Sequence, residues 1–130
     1  MGDERLYNTI TREIIGAAIE VHRILGPGLL ESVYELCLKQ ELQERGLIVS
    51  NQVAFPLLYK GKAVGKTFVI DLLVENRVVV ELKSVDALLP IHEVQLVTYL
   101  KLTGKKLGLL INFNVPLLNM GIKRKINGEL

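Results

Sequence analysis

The chain has 130 residues, 49% apolar and 23% charged, with a formal net charge of +2, which suits one globular domain over residues 1–130 and excludes a disordered chain. Its one cysteine, Cys37, excludes an internal disulfide and a cysteine-based zinc site within one chain, and its place in an apolar stripe makes it a buried structural thiol. No apolar run reaches the roughly 18 residues of a membrane span and no h-region follows the charged start, so the chain reads as soluble and cytoplasmic.

Residues 4–25 repeat apolar side chains at helical spacing, with Ile10, Ile14, Ala17, Ala18, Val21 and Leu25 on one stripe. Gly26-Pro27-Gly28 ends that helix. A second helix is expected over Leu29–Arg45, with Leu30, Val33, Tyr34, Cys37, Leu38 and Leu42 inward and Gly46 as the left-handed residue past its end. The period then changes. Ile48–Tyr59 is strand-like, Lys60-Gly61-Lys62 is a turn, and Thr67–Val74 and Arg77–Lys83 are two further strands. Pro90 precedes a third helix over Ile91–Thr103, closed by Gly104. Lys106–Phe113 is a compact apolar strand, and Met120–Ile126 adds an edge strand bearing Lys123, Arg124 and Lys125. The fold class is α/β, with a mixed sheet built from a three-strand antiparallel meander, a crossover helix and a further strand, flanked by helices.

The anomaly lies in the sheet. Asp71 interrupts one apolar strand, and Glu81 and Lys83 interrupt the next. Such strands are covered on both faces, where charge is costly unless it is paired or holds a metal. Glu81 and Lys83 are two apart and share a face. A three-residue connection over 75–77 sets Asp71 opposite Glu81, whereas a two-residue one sets it opposite Val80 and turns it away. The metal reading needs the longer connection, and Asn76 tolerates the positive φ it demands. Two carboxylates on neighbouring strands suit Mg²⁺, with Mn²⁺ able to substitute. Such an ion polarises a phosphodiester and acidifies water, and a lysine beside it can orient the attacking water. A structural alternative stands beside this: Asp71 and Lys83 as a buried ion pair, or both at a wet sheet end.

Asp71 followed by Glu81-Leu82-Lys83 resembles the D…(D/E)-x-K signature of the PD-(D/E)XK nuclease superfamily, with Ile70 where the name has proline. Gln95-Leu96-Val97-Thr98-Tyr99 resembles the Q-x-x-x-Y element of its exonuclease-like branch. Gly28-Leu29-Leu30-Glu31-Ser32-Val33-Tyr34 is similar to the G-x-x-E-x-x-Y motif of a bacterial and archaeal family in that superfamily. The resemblance implies a nuclease-like core with an extra N-terminal helix and a Mg²⁺-dependent nuclease, acting on DNA. Asp71 and Glu81 would be metal ligands, with the Leu82 carbonyl and Glu31 completing the set. Lys83 would position the attacking water, and Gln95 and Tyr99 would line the cleft.

Ordinary readings accompany these. Glu31 in a first helical turn favours the macrodipole, and Gln95 and Tyr99 share a helical face that simply packs on the sheet. His22, Tyr34 and His92 could border the cleft but are left out of the metal set. Lys101, Lys105, Lys106, Lys123, Arg124 and Lys125 could track a nucleic-acid backbone or be solvated surface charge. Sequence specificity in so small a chain would come from a homodimer or a partner protein. The rival reading is a catalytically silent nuclease-fold module for interaction or nucleic-acid binding.

Overall fold

The computed structural model describes residues 2–130. Its elements are α1 (Gly2–Leu25), α2 (Glu31–Glu44), β1 (Val49–Tyr59), β2 (Lys62–Val74), β3 (Val78–Lys83), α3 (Pro90–Thr103), β4 (Leu107–Asn112), a 3₁₀ turn (Leu118–Gly121) and β5 (Ile122–Ile126). One five-stranded sheet has the order β1-β2-β3-β4-β5, and only the β3–β4 pair is parallel. The expected mixed α/β sheet is therefore present, with α3 as the crossover between the parallel strands. No helix is long and apolar enough to cross a membrane among the described residues.

The sheet has two covered faces. On one, Ile14, Ala17 and Val21 of α1 and Tyr34, Leu38 and Leu42 of α2 pack on Leu72, Val74, Val78, Val80 and Leu109. On the other, Leu96 and Leu100 of α3 pack on Ile70, Leu73, Val79 and Leu110. Burial on both sides is why β3 and β4 read as continuous apolar runs. Gly108 lets α3 approach closely, since a Cβ there would lie 2.7 Å from Leu96 Cδ1.

The second helix starts at Glu31 rather than Leu29, so Leu30 lies outside it and is 74% exposed. Val33 is also exposed, and Cys37 is half-buried against the core rather than enclosed. The strand expected from Thr67 begins at Lys62. The last strand begins at Ile122, with Met120 in the 3₁₀ turn before it.

Tyr34 fastens the bend between α1 and α2. Its hydroxyl donates to the Gly26 carbonyl (2.6 Å) and accepts from the Leu29 N–H (3.1 Å). Its ring stacks on Phe113 with centroids 4.4 Å apart. Gly28 takes φ +97°, which a side chain would resist. Ser84, just past β3, then donates to the Leu29 carbonyl (2.6 Å), so the bend is tied to the end of the strand that carries Lys83.

Candidate active site

The three-residue connection between β2 and β3 is present. Val74 pairs with Val78 and Leu72 with Val80, so the next step outward sets Asp71 against Glu81. Glu75 and Asn76 both take positive φ, at 54° and 53°. Glu75 is held there by Ile48, whose carbonyl accepts its N–H (2.8 Å) and whose N–H donates to its carboxylate (2.7 Å).

At Asp71 the side-chain alternation of the sheet reverses. Val49, Leu72 and Val74 belong to the core under α1 and α2, whereas Val53, Phe55, Phe68 and Ile70 turn to the α3 side. Both strands switch face at one position, between Asn51 and Val53 in β1 and between Ile70 and Leu72 in β2. The residue at the switch in β1 is Gln52, with φ +50°, and Asp71 lies across from it. A break in strand period is where a polar side chain can leave the apolar layers without being buried in either.

Asp71 is half-buried, and its carboxylate accepts the Leu82 N–H (2.8 Å). Leu82 thus enters the site by its backbone while its side chain stays in the core. Glu81 is 7% exposed, and its carboxyl lies 3.4 Å from the Asp71 N–H. Burial first, and then the facing Asp71 carboxylate, push Glu81 from an ordinary 4.5 up to about 9, only partly offset by the Asp71 N–H and, least of all, by the Lys83 charge. Lys83 is half-buried beside it.

Tyr99 of α3 also reaches this place. Burial, followed by the charges of Glu81 and Asp71, raises its phenol above its usual range, and its ring stacks on Phe68 at 5.1 Å. Gln95, one turn earlier, is exposed. Glu31 is exposed as well, and shares a surface hollow with Leu29, Leu30, Ser32 and Ser84. His92 accepts the Leu89 N–H through Nδ1 (3.0 Å) at the start of α3, and His22 Nε2 lies 2.8 Å from the Val115 carbonyl. Three of the six basic groups near the C-terminal half are engaged within the chain. Lys105 donates to Asn76 (3.0 Å to its carbonyl), Arg124 to Asn8 (2.9 Å), and Lys125 pairs with Glu93 (2.7 Å).

Two residues of the site were not anticipated. Glu35 of α2 is only 9% exposed and accepts from Gln52 Nε2 (2.6 Å) and Asn51 Nδ2 (3.2 Å). The same Gln52 amide nitrogen lies 3.4 Å from Asp71 Oδ1. Lys39 donates to Asn51 Oδ1 (2.7 Å), so a polar chain runs Lys39–Asn51–Glu35–Gln52–Asp71. Gln52 holds carboxylates from α2 and β2 toward each other, at the cost of a left-handed backbone, about 1–2 kcal/mol for a residue with a Cβ. Gln52→Ala, which loses the amide and keeps the strain, is therefore expected to be less stable than Gln52→Gly by about 1 kcal/mol. Urea denaturation of both variants checks this, and equal stabilities would remove the strain argument.

A profile of the PD-(D/E)XK nuclease superfamily matches residues 8–125, nearly the whole chain. The chain belongs to the PD-(D/E)XK nuclease superfamily. No curated protein and no solved structure matches it significantly. Superfamily members typically use divalent metals, and the donor set here fits one. Asp71 and Glu81 face each other with carboxyl oxygens, a donor set suited to a hard divalent cation. Among the described residues no three His, Cys, Asp or Glu side chains converge as a metal cluster.

The raised Glu81 has a consequence for stability. Between about 4.5 and 9 the folded superfamily domain keeps a proton that the unfolded chain has released. Stability from this group is therefore complete below pH 4.5 and is lost as pH rises toward 9, with a slope of up to about 1.4 kcal/mol per pH unit. Urea unfolding in EDTA from pH 5 to 9 should show this decline, and Glu81→Gln should flatten it. A parent whose stability does not fall over that range would contradict the protonated Glu81.

Proposed function

We propose that this protein is a Mg²⁺-dependent nuclease of the G-x-x-E-x-x-Y branch, a single domain that hydrolyses phosphodiester bonds in DNA. The observation that carries the reading is the facing of Asp71 and Glu81 across β2 and β3 with Lys83 on the Glu81 face. A retired site has no reason to keep two carboxylates in an arrangement that drives one of them to about 9. Asp71 and Glu81 would hold the cation, with the Leu82 carbonyl as a further ligand and Glu31, exposed beside Ser84, holding a metal-bound water, and Mn²⁺ would substitute. When bound, the cation supplies Lewis acidity to the phosphodiester.

Lys83, as an ammonium, donates to the oxygen of the attacking water and offsets charge developing on the phosphate. The water oxygen bonds to phosphorus as the ester P–O bond breaks, the water gives up a proton, and the leaving oxygen takes one up. Tyr99 and Gln95 contact the phosphate from α3, and the Gln52 amide keeps Asp71 in place. The test is cleavage of single-stranded and duplex DNA and RNA with and without Mg²⁺, with Lys83→Ala as control. Metal-dependent products that disappear in the control support the reading. Nucleic-acid binding without turnover would make the protein a catalytically silent module.

A further inference from the structure

The β1–β2 hairpin is longer than the sheet that carries it. β2 has 13 residues, but only Leu72–Val74 pair with β3. From Ile70 outward to Lys62 its only strand neighbour among the described residues is β1, and beyond Phe68, which still packs on the α3 side, a two-stranded ribbon projects past the sheet. The ribbon has its root at the candidate site, since its strands leave the sheet at Gln52 and Asp71. There Phe55 stacks on Phe68 (5.6 Å), and Phe68 on Tyr99 (5.1 Å).

Charge on this ribbon has one sign. Between Gln52 and Asp71 the only charged residues are Lys60, Lys62 and Lys66. All three are exposed, and none joins an ion pair among the described residues. They differ in this from Lys105, Arg124 and Lys125, which are engaged within the chain.

We infer that the β1–β2 ribbon is a docking arm for double-stranded nucleic acid, which it grips through Lys60, Lys62 and Lys66 to hold a duplex across the Asp71–Glu81 site. The inference rests on the nuclease reading and names the substrate form that this site takes. The B-form major groove, about 12 Å wide, admits a two-stranded ribbon. Lys62 is nine residues from Asp71, about 30 Å at ~3.3 Å per residue, close to one helical turn of duplex at about 34 Å. A single strand would call for free aromatic faces on which bases stack. On this ribbon Phe55 and Phe68 are stacked on each other and on Tyr99, and the one exposed ring, Tyr59, lies under the Lys60 ammonium at 5.5 Å.

The test is the triple variant Lys60→Gln, Lys62→Gln, Lys66→Gln in the full chain. Binding of a fluorescent 30-base-pair DNA duplex is measured in EDTA between 50 and 200 mM salt. The magnitude of the logarithmic salt slope should fall by about 3, with at least tenfold weaker binding at the low-salt end. The melting temperature should not change. An unaltered slope, or no duplex binding by the parent, overturns the arm. So does an equal loss on single-stranded DNA of the same length, or a dimer in the parent that dissociates in the variant with duplex affinity intact. A parent that cleaves while its variant keeps the slope defeats the arm and leaves the nuclease reading standing. A parent that shows the slope change but no metal-dependent cleavage defeats the nuclease reading and leaves the arm.

Discussion

Asp71→Asn is expected to abolish Mg²⁺ binding and to leave the protein folded. The substitution removes one of two facing carboxylates, and a neutral amide is a poor ligand for a hard dication. The fold tolerates it because the Asn carbonyl oxygen can still accept the Leu82 N–H that Asp71 accepts at 2.8 Å. The main loss is the contact from Gln52, whose amide would face a second amide. Against that loss stands a gain, since the Asp71 charge is the second-largest cause of the raised Glu81. With that charge gone Glu81 ionises more readily, so the variant should lose less stability than the parent as pH rises. Calorimetric titration with Mg²⁺ and Mn²⁺ reads the affinity directly. Melting curves give a second reading, because a ligand that binds only the folded state stabilises it by about 2.7 kcal/mol at a hundred times its Kd. The parent should melt higher as the cation is added, and the variant should not respond. A variant that keeps the parent's affinity would remove Asp71 from the metal site.

Much of this geometry was legible in the sequence because the sheet obeys counting rules. The sum of paired residue numbers in the β2–β3 hairpin follows from a three-residue connection, and the observed pairs keep it. Asp71, Glu81 and Lys83 stood out because charge inside apolar strands needs a reason. Gln52 and Glu35 did not stand out, because each resembles ordinary sequence around it. Glu35 lies three and seven residues before the buried Leu38 and Leu42, so its helical phase was the available signal. Gln52 gave none: its left-handed backbone and the reversal of strand alternation around it arise from tertiary twist. The outer half of β2 was hidden because lysines and Gly65 dilute its apolar pattern, as befits a ribbon exposed on both faces. Leu30 failed because a helical stripe was carried one residue past the bend that Tyr34 and Gly28 fix.

Lys83→Ala is expected to give a folded protein with nearly unchanged Mg²⁺ affinity and hydrolysis slower by about 10²–10³, the usual cost of one positioned electrostatic group. The competing account makes Lys83 the partner of a buried carboxylate. Removing such a partner strands a charge and costs roughly 3–5 kcal/mol. The electrostatics of the site favour the first account. Glu81, the carboxyl beside Lys83, is pushed up to about 9 and carries a proton at neutral pH in the metal-free protein. Lys83 is the smallest of the influences on it, and is itself only half-buried. Lys83 joins no ion pair with Asp71 or Glu81 among the described residues, so removing the ammonium breaks no pair, and the neutral Glu81 becomes if anything harder to ionise. A cation held by Asp71 and Glu81 would leave the Lys83 ammonium to orient the water and offset charge on the phosphate. Urea denaturation and a cleavage assay on the same preparation separate the two accounts. A folded variant that cleaves as fast as the parent would remove Lys83 from the chemistry, and a variant several kcal/mol less stable would return it to structure.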